Sequence, residues 1–339
     1  MRSVLRLLAP APAAGRPLLS LLALLTGLGL LLPGCAKDDD SPPVEVRFRQ
    51  PNLYPEGVQY DAQHFRYLVG SETSGTVGTV SDNGIYTAFS SDPALVSSIG
   101  LHLDAARNRL LVAVSDPGYN PARTSAATLR KLARLVVLNR DNGQLLSSID
   151  LGALRPGAGH FANDLTIDDG GNVYVTDSFS PIIYKADLQG TPSVFLENSL
   201  LSADAGQFGL NGIVFHPDGY LLVAKSDVGA IYKVPLNNPA GFKAVATGQT
   251  LRGADGLLLQ DEKTLLVVCN SQNKVYRLGT ADNWATANTT GTFDTPAVYP
   301  TTLARRSNAD TYVLYSHLNE LQANKTPPQA EYSIKRVKF

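Results

Sequence analysis

The sequence predicts an all-β fold, a six-bladed β-propeller of four-stranded blades whose ring is closed by its N-terminal strand. Three observations lead there. A strand–turn–strand unit recurs six times, alternation of period two dominates over helical periodicity, and an unmatched strand stands at each end of the chain.

The repeat is clearest at Asn163-Asp164-Leu165-Thr166-Ile167-Asp168, at Asn211-Gly212-Ile213-Val214-Phe215-His216 and at Asp255-Gly256-Leu257-Leu258-Leu259-Gln260. Each is followed by a turn, a longer apolar run, a second turn and a third strand that often carries Tyr. Weaker copies begin at Glu56, Ile99 and Thr301. The starts lie 43, 64, 48, 44 and 46 residues apart, periods that suit four-stranded blades with one insertion. Tyr332 to Phe339 supplies a late strand of the last blade. Val44 to Arg49 alternates apolar and charged residues as an outer strand does, and pairing the two hides two sheet edges.

The N-terminus reads as a targeting segment. Arg2, Arg6 and Arg16 precede a Leu-rich run of 16 residues, Pro17 to Leu32, too short for a confident membrane span. It ends at Leu32-Pro33-Gly34-Cys35, which resembles the lipobox of bacterial lipoproteins, in which the Cys is lipidated and becomes the new N-terminus. The expected organisation is a signal peptide over 1–35 including lipidated Cys35, a tether over 36–43 and the propeller over 44–339. Lys37-Asp38-Asp39-Asp40 looks like the acidic surface-export signal of Bacteroidetes lipoproteins, and a solvated tether reads the same residues equally well. The expectation is an exported lipoprotein of the outer membrane, on its periplasmic face or at the cell surface, held to the membrane by its lipid.

Composition excludes other classes. Removing the three leader arginines moves the formal net charge from −1 to −4, and no basic stripe suggests nucleic acid. Besides Cys35 only Cys269 remains, inside the apolar run Leu265-Leu266-Val267-Val268-Cys269, so no internal disulfide forms and a buried inert thiol is expected. The chain is expected to act as a monomer.

In a propeller the first strand of each blade lines the central channel. The residues two before the first buried aliphatic are Glu56, Ile99, Asn163, Asn211, Asp255 and Thr301. Two carboxylates in a narrow, partly desolvated funnel repel each other, so one takes a proton or a cation joins them. Two amides add neutral oxygens. Hard oxygen donors of this kind suit Ca²⁺, which takes roughly 6–8 of them at about 2.3–2.6 Å, with another divalent metal as the alternative. No His or Cys occupies the ring, which argues against zinc. A water-filled channel rimmed by hydrogen-bonding groups is the other reading.

Tyr54-Pro55-Glu56-Gly57, Phe161-Ala162-Asn163-Asp164, Leu210-Asn211-Gly212 with His216-Pro217-Asp218-Gly219, and Gly253-Ala254-Asp255-Gly256 resemble, in order and at blade spacing, the repeat starts of the SMP-30/gluconolactonase/LRE-like group. The regucalcin-like, paraoxonase and diisopropyl-fluorophosphatase branches are related to it. The resemblance spans roughly residues 50 to 340. It implies that Glu56, Asn211 and Asp255 are metal ligands and that Asn163 is a fourth ligand or a substrate contact. This chain departs from the pattern at Phe161, where the regucalcin branch carries Arg, and at Ile99, where paraoxonase-like members place His.

The chemistry expected from this resemblance is calcium-dependent hydrolysis of a lactone or ester, a small-molecule substrate, at the channel mouth. Asp255 or Glu56 serves as base or nucleophile. The alternative is a non-catalytic propeller that binds a ligand or protein. Loops after second strands overhang the site, and two are long, Asp116 to Leu132 and His317 to Ala330. Arg123, Arg130 and Lys131 in the first are candidates to hold an anionic substrate group, or are solvated loop charges. Asp177, Asp227 and Asn270 end other second strands and either support the site or cap turns. His102 and His216 lie deeper, where structural roles are expected.

The leader yields a first prediction: Cys35→Ser abolishes lipidation, and the variant leaves the membrane fraction or stalls unprocessed when cells are fractionated.

Overall fold

Burial along the strands follows their distance from the channel. Second strands such as Val173–Asp177, Tyr220–Lys225 and Thr311–Tyr315 are buried at every residue. They are sandwiched between neighbouring sheets, so both faces are apolar and the alternation of a half-exposed strand disappears. Outer strands such as Leu145–Asp150 and Asn288–Asp294 are largely exposed. The computed structural model describes residues 41–326 and 328–339, and there it contains six four-stranded antiparallel sheets arranged as a six-bladed propeller. Pro42–Phe339 form one compact unit. The leader, Cys35 and the tether as far as Asp40 lie outside the described residues.

Innermost strands run in blade order: Val58–Asp61, Ser97–Asp104, Ala162–Ile167, Leu210–His216, Ala254–Asp261 and Pro300–Arg305. The single α-helix among the described residues, Leu318–Gln322, sits in the long last loop. The N-terminal strand Glu45–Arg49 is the outermost strand of the sixth blade. It pairs antiparallel with Glu331–Arg336, in register from Glu45 opposite Lys335 to Arg49 opposite Glu331. Phe48 turns inward onto Tyr332, with ring centroids 5.7 Å apart.

Every junction between blades carries a polar staple. Arg140 Nε donates to Asp61 Oδ1 at 3.0 Å, joining blades one and two. Arg109 Nη2 donates to the Gly171 carbonyl at 2.8 Å, and the Phe215 N–H donates to Thr166 Oγ1 at 3.1 Å. His216 Nε2 lies 2.9 Å from the Glu262 carbonyl, and Arg305 donates to the Leu259 carbonyl. Thr301 Oγ1 closes the circle on the Glu56 carbonyl at 2.8 Å. His216 is thus structural, as its sequence position suggests. Cys269 is buried and unpaired.

Because the first and last strands join only through this blade, Phe48→Ala opens a cavity at the closure. Urea unfolding is expected to show a loss of about 3–5 kcal/mol, the usual scale for removing a buried Phe.

Candidate metal and active site

A repeated irregularity builds the site. In five blades the pairing of the first two strands slips at the channel end, between Ser98 and Leu101, Ala162 and Leu165, Leu210 and Ile213, Ala254 and Leu257, and Pro300 and Leu303. Asn163, Asn211 and Asp255 fall inside these slips. A bulge leaves a residue outside the ladder and redirects its side chain, and all three residues line one cavity of about 430 Å³ together with Glu56. The following glycines are close-approach residues rather than turn residues. A Cβ on Gly57 would meet the Ile99 carbonyl oxygen at 2.3 Å, and one on Gly212 the Asp255 carbonyl oxygen at 2.1 Å.

The two amides are oriented by their neighbours. Ser178 Oγ donates to the Leu210 carbonyl at 2.5 Å, so it can only accept from Asn163 Nδ2, at 2.9 Å. Ser226 Oγ likewise donates to the Ala254 carbonyl and accepts from Asn211 Nδ2 at 3.1 Å. That network assigns the amides and leaves both Oδ1 atoms buried with no hydrogen-bond partner. A buried acceptor without a partner costs about 1–3 kcal/mol. Two such acceptors on one cavity beside carboxylates suit a positively charged group.

The charges agree. Glu56 is buried and its pKa is pushed well above the carboxylate range, first by desolvation and then by the charges of Asp255, Asp164 and Glu72. Desolvation raises Asp255 to about 8 against a hydrogen bond from Asn270, whose Nδ2 is 2.8 Å from its Oδ2. Burial, aided by Asp255, raises Glu72 to about 8, and burial raises Asp164 to about 7. The one buried ammonium nearby, Lys225, is held by Asp227 at 2.7 Å from both oxygens. Among the described residues no three His, Cys, Asp or Glu side chains gather as a metal-binding group. A cation here therefore rests on amide oxygens as much as on carboxylates. The donor set fits Ca²⁺, with Glu56, Asn163, Asn211 and Asp255 as the residues that would hold it.

Other sequence-derived sites divide. Thr301 does not line the cavity, because its hydroxyl is engaged by the Glu56 carbonyl. Asn270 supports Asp255, whereas Asp177 caps a turn through the N–H groups of Phe161, Phe179 and Ser180. Neither Arg123 nor Arg130, the loop arginines offered as holders of an anionic group, lines the central cavity. Arg123 donates to the carbonyls of Gly75, Ser91, Asp92 and Leu95 and pins its own loop. Arg130 lies over the Phe179 ring and lines a neighbouring cavity. His102 is half-buried and lines a separate cavity further along the first strands, where desolvation lowers its pKa to about 4. Sequence reasoning missed Glu72, Tyr119 and Tyr299, all on the cavity wall. The available signal for Glu72 was its place after the second strand of the first blade, the row that holds Asp177, Asp227 and Asn270.

No protein-family model and no curated protein matches this sequence. Solved structures share its fold. The major allergen Mala s 1 of Malassezia sympodialis aligns with TM-score 0.70 at 18% identity, over 88% of this chain and 97% of the allergen. A calcium-binding protein, regucalcin, from Agrobacterium tumefaciens strain C58 aligns with TM-score 0.59 at 18% identity, over 85% and 92%. Luciferin-regenerating enzyme aligns with TM-score 0.59 at 14% identity, over 87% and 97%. Identities this low show a common fold alone.

The raised carboxyls set a pH dependence. The unfolded chain ionises Asp255 near 3.8 while the folded chain keeps it protonated to about 8, so between these values the unfolded state binds fewer protons and stability falls as pH rises. In EDTA, the melting temperature is expected to drop from pH 5 to pH 8, less steeply in Asp255→Asn. Calcium is expected to raise stability by about 2.7 kcal/mol at one hundred times its dissociation constant, and at one fixed calcium concentration the gain is expected to be larger at pH 8 than at pH 6, because fewer protons compete for the carboxylates. Scanning calorimetry across this pH range checks both.

Proposed function

We propose that the protein is a calcium-dependent hydrolase of a lactone or ester, similar in kind to the SMP-30/gluconolactonase group, exported as a lipoprotein anchored through Cys35. The reading rests on one observation above others: two buried amide oxygens, Asn163 Oδ1 and Asn211 Oδ1, lack partners on a cavity that also holds Glu56 and Asp255. That a structural neighbour, the Agrobacterium regucalcin, is a calcium-binding protein adds support. A divalent cation bound there supplies a Lewis acid for a carbonyl oxygen and for the negative charge that develops on it.

The chain's own residues do the rest. Asp255, held at Oδ2 by Asn270, or Glu56 takes a proton from water as the water oxygen bonds to the carbonyl carbon. The acyl C–O bond then breaks, and the proton passes to the leaving alkoxide, giving a carboxylic acid and an alcohol or, from a lactone, one hydroxy acid. Tyr119, Phe161, Phe208 and Tyr299 wall the cavity and keep bulk water from the reacting carbonyl. Phe161 brings no charge to the site, which favours a carbonyl substrate without the hydroxyls of a sugar lactone.

Turnover of a panel of lactones and aryl esters with calcium and with EDTA tests the proposal. At saturating calcium, Asp255→Asn is expected to lose kcat by roughly a hundredfold or more, the scale of a removed acid–base group. If that variant, fully loaded with metal, turns over at the wild-type rate, Glu56 is the essential carboxylate. If the wild type binds calcium and hydrolyses nothing, the propeller is a binding module instead.

A further inference from the structure

Beside the central cavity lies a second one of about 420 Å³, and Gln207 lines both. The wall between them is aromatic. Phe161 and Phe208 line the central cavity, Phe179 lines the side cavity, and the three rings pack at centroid distances of 5.1–5.3 Å. Arg130 lies over Phe179 with its guanidinium carbon 4.5 Å from the ring centroid. Among the described residues no carboxylate pairs with it and its side chain makes no hydrogen bond, unlike Arg123 on the same loop.

Its backbone is fixed at some strain. Arg130 sits in the left-handed region at φ 56°, held by its N–H on the Asp116 carbonyl at 2.8 Å and by the His160 N–H on its own carbonyl at 2.9 Å. The positive φ is a backbone conformation the fold imposes, and the exposed guanidinium stands over the ring at the cavity's edge with no protein partner among the described residues. The rest of the lining suits an anion. The N–H groups of Gly157, Gly159, Ala205 and Gly206, all on exposed loop residues, donate to no protein acceptor among the described residues and stand open to solvent or a ligand. At Gly157 and Gly206 there is open space where a side chain would stand. The cavity's charges are Arg130, Lys131 and Asp204, a net of one positive charge, which matches a single carboxylate better than a phosphate.

We infer that the side cavity is a carboxylate subsite, with Arg130 as its anchor, and that it holds the acid group of a molecule whose apolar middle crosses the Phe179–Phe208 wall into the central cavity. This rests on reading the central cavity as a substrate site. The arrangement separates charges that would otherwise conflict: an anion is kept away from Glu56, Glu72 and Asp255, and the reacting carbonyl alone meets them. The substrate class is therefore an ester or lactone bearing a remote carboxylate on an apolar linker. Arg130 binds and orients it and takes no part in proton transfer.

Calorimetric titration with 3-phenylpropionate and with its uncharged amide, both in EDTA so that no metal holds the acid, tests the subsite. The wild type is expected to bind the acid at least tenfold more tightly than the amide, and Arg130→Gln to reduce that ratio to near one. Equal affinities in the wild type, or an unchanged preference in Arg130→Gln, would overturn the inference. The hydrolase reading is scored separately by calcium-dependent turnover. Hydrolysis without a carboxylate preference counts against the subsite alone, and a carboxylate preference without hydrolysis counts against the hydrolase alone.

Discussion

Everything at the centre of this molecule depends on how closely six innermost strands approach one another. Gly57 and Gly212 are places where even a methyl group would collide with the next blade's backbone, so the innermost strands crowd together and the side chains at their channel ends are largely withdrawn from solvent. Four carboxyl groups stand along that channel. Desolvation is the first cause of every one of their raised pKa values, and the charged groups that act on them are chiefly one another. Proximity of strands thus becomes an electrostatic demand that protons meet at low pH and that a cation, if bound as proposed, would meet at higher pH.

The rest of the fold tolerates that demand because the ring is tied independently of it. Each blade is joined to the next by a hydrogen bond in which a side chain takes part, and the pairing of Glu45–Arg49 with Glu331–Arg336 closes the circle. Apolar packing between blades surrounds these ties, with Tyr54, Tyr67, Tyr312 and Tyr332 filling the closure between first and last blades. Strain at the centre can therefore be local. The same separation explains why Lys225 does not relieve the carboxylates: Asp227 holds it two residues away.

The number of blades, the closing strand and the four ring residues were legible from sequence because period-two alternation and repeat spacing are strong signals over nearly 300 residues. The bulges were not. An Asn-Gly or Asp-Gly pair reads as a turn, whereas here the pairs lie inside first strands and the glycine answers a contact from the adjacent blade. Glu72 was hidden for a related reason, since it lies three residues beyond the short strand Arg66–Val69, where Gly70 and Ser71 read as loop. The part Arg123 plays was not legible because sequence shows a loop's charges but not their hydrogen bonds, and its guanidinium donates to four backbone carbonyls.

Phe161 draws these threads together. The resemblance that the ring residues carry sets an arginine at this point, and a guanidinium there would stand beside Asn163 and offer the carboxylates a permanent counter-charge. In this chain the position holds a ring packed on Phe179 and Phe208, with its N–H fixed by Asp177 Oδ1 at 2.9 Å. Replacing a charge with an aromatic face has two effects that point the same way. It leaves the negative centre dependent on an exchangeable cation or proton, and it turns one wall of the cavity from a hydrogen-bonding surface into an apolar one. Arg252 lines the central cavity itself, and beyond the aromatic wall stand Arg130 and Lys131. If the side cavity holds a carboxylate, as proposed, a ligand spanning both cavities would be apolar where it passes Phe161 and Phe208 and anionic past them, a different molecule from a sugar lactone even on a similar scaffold.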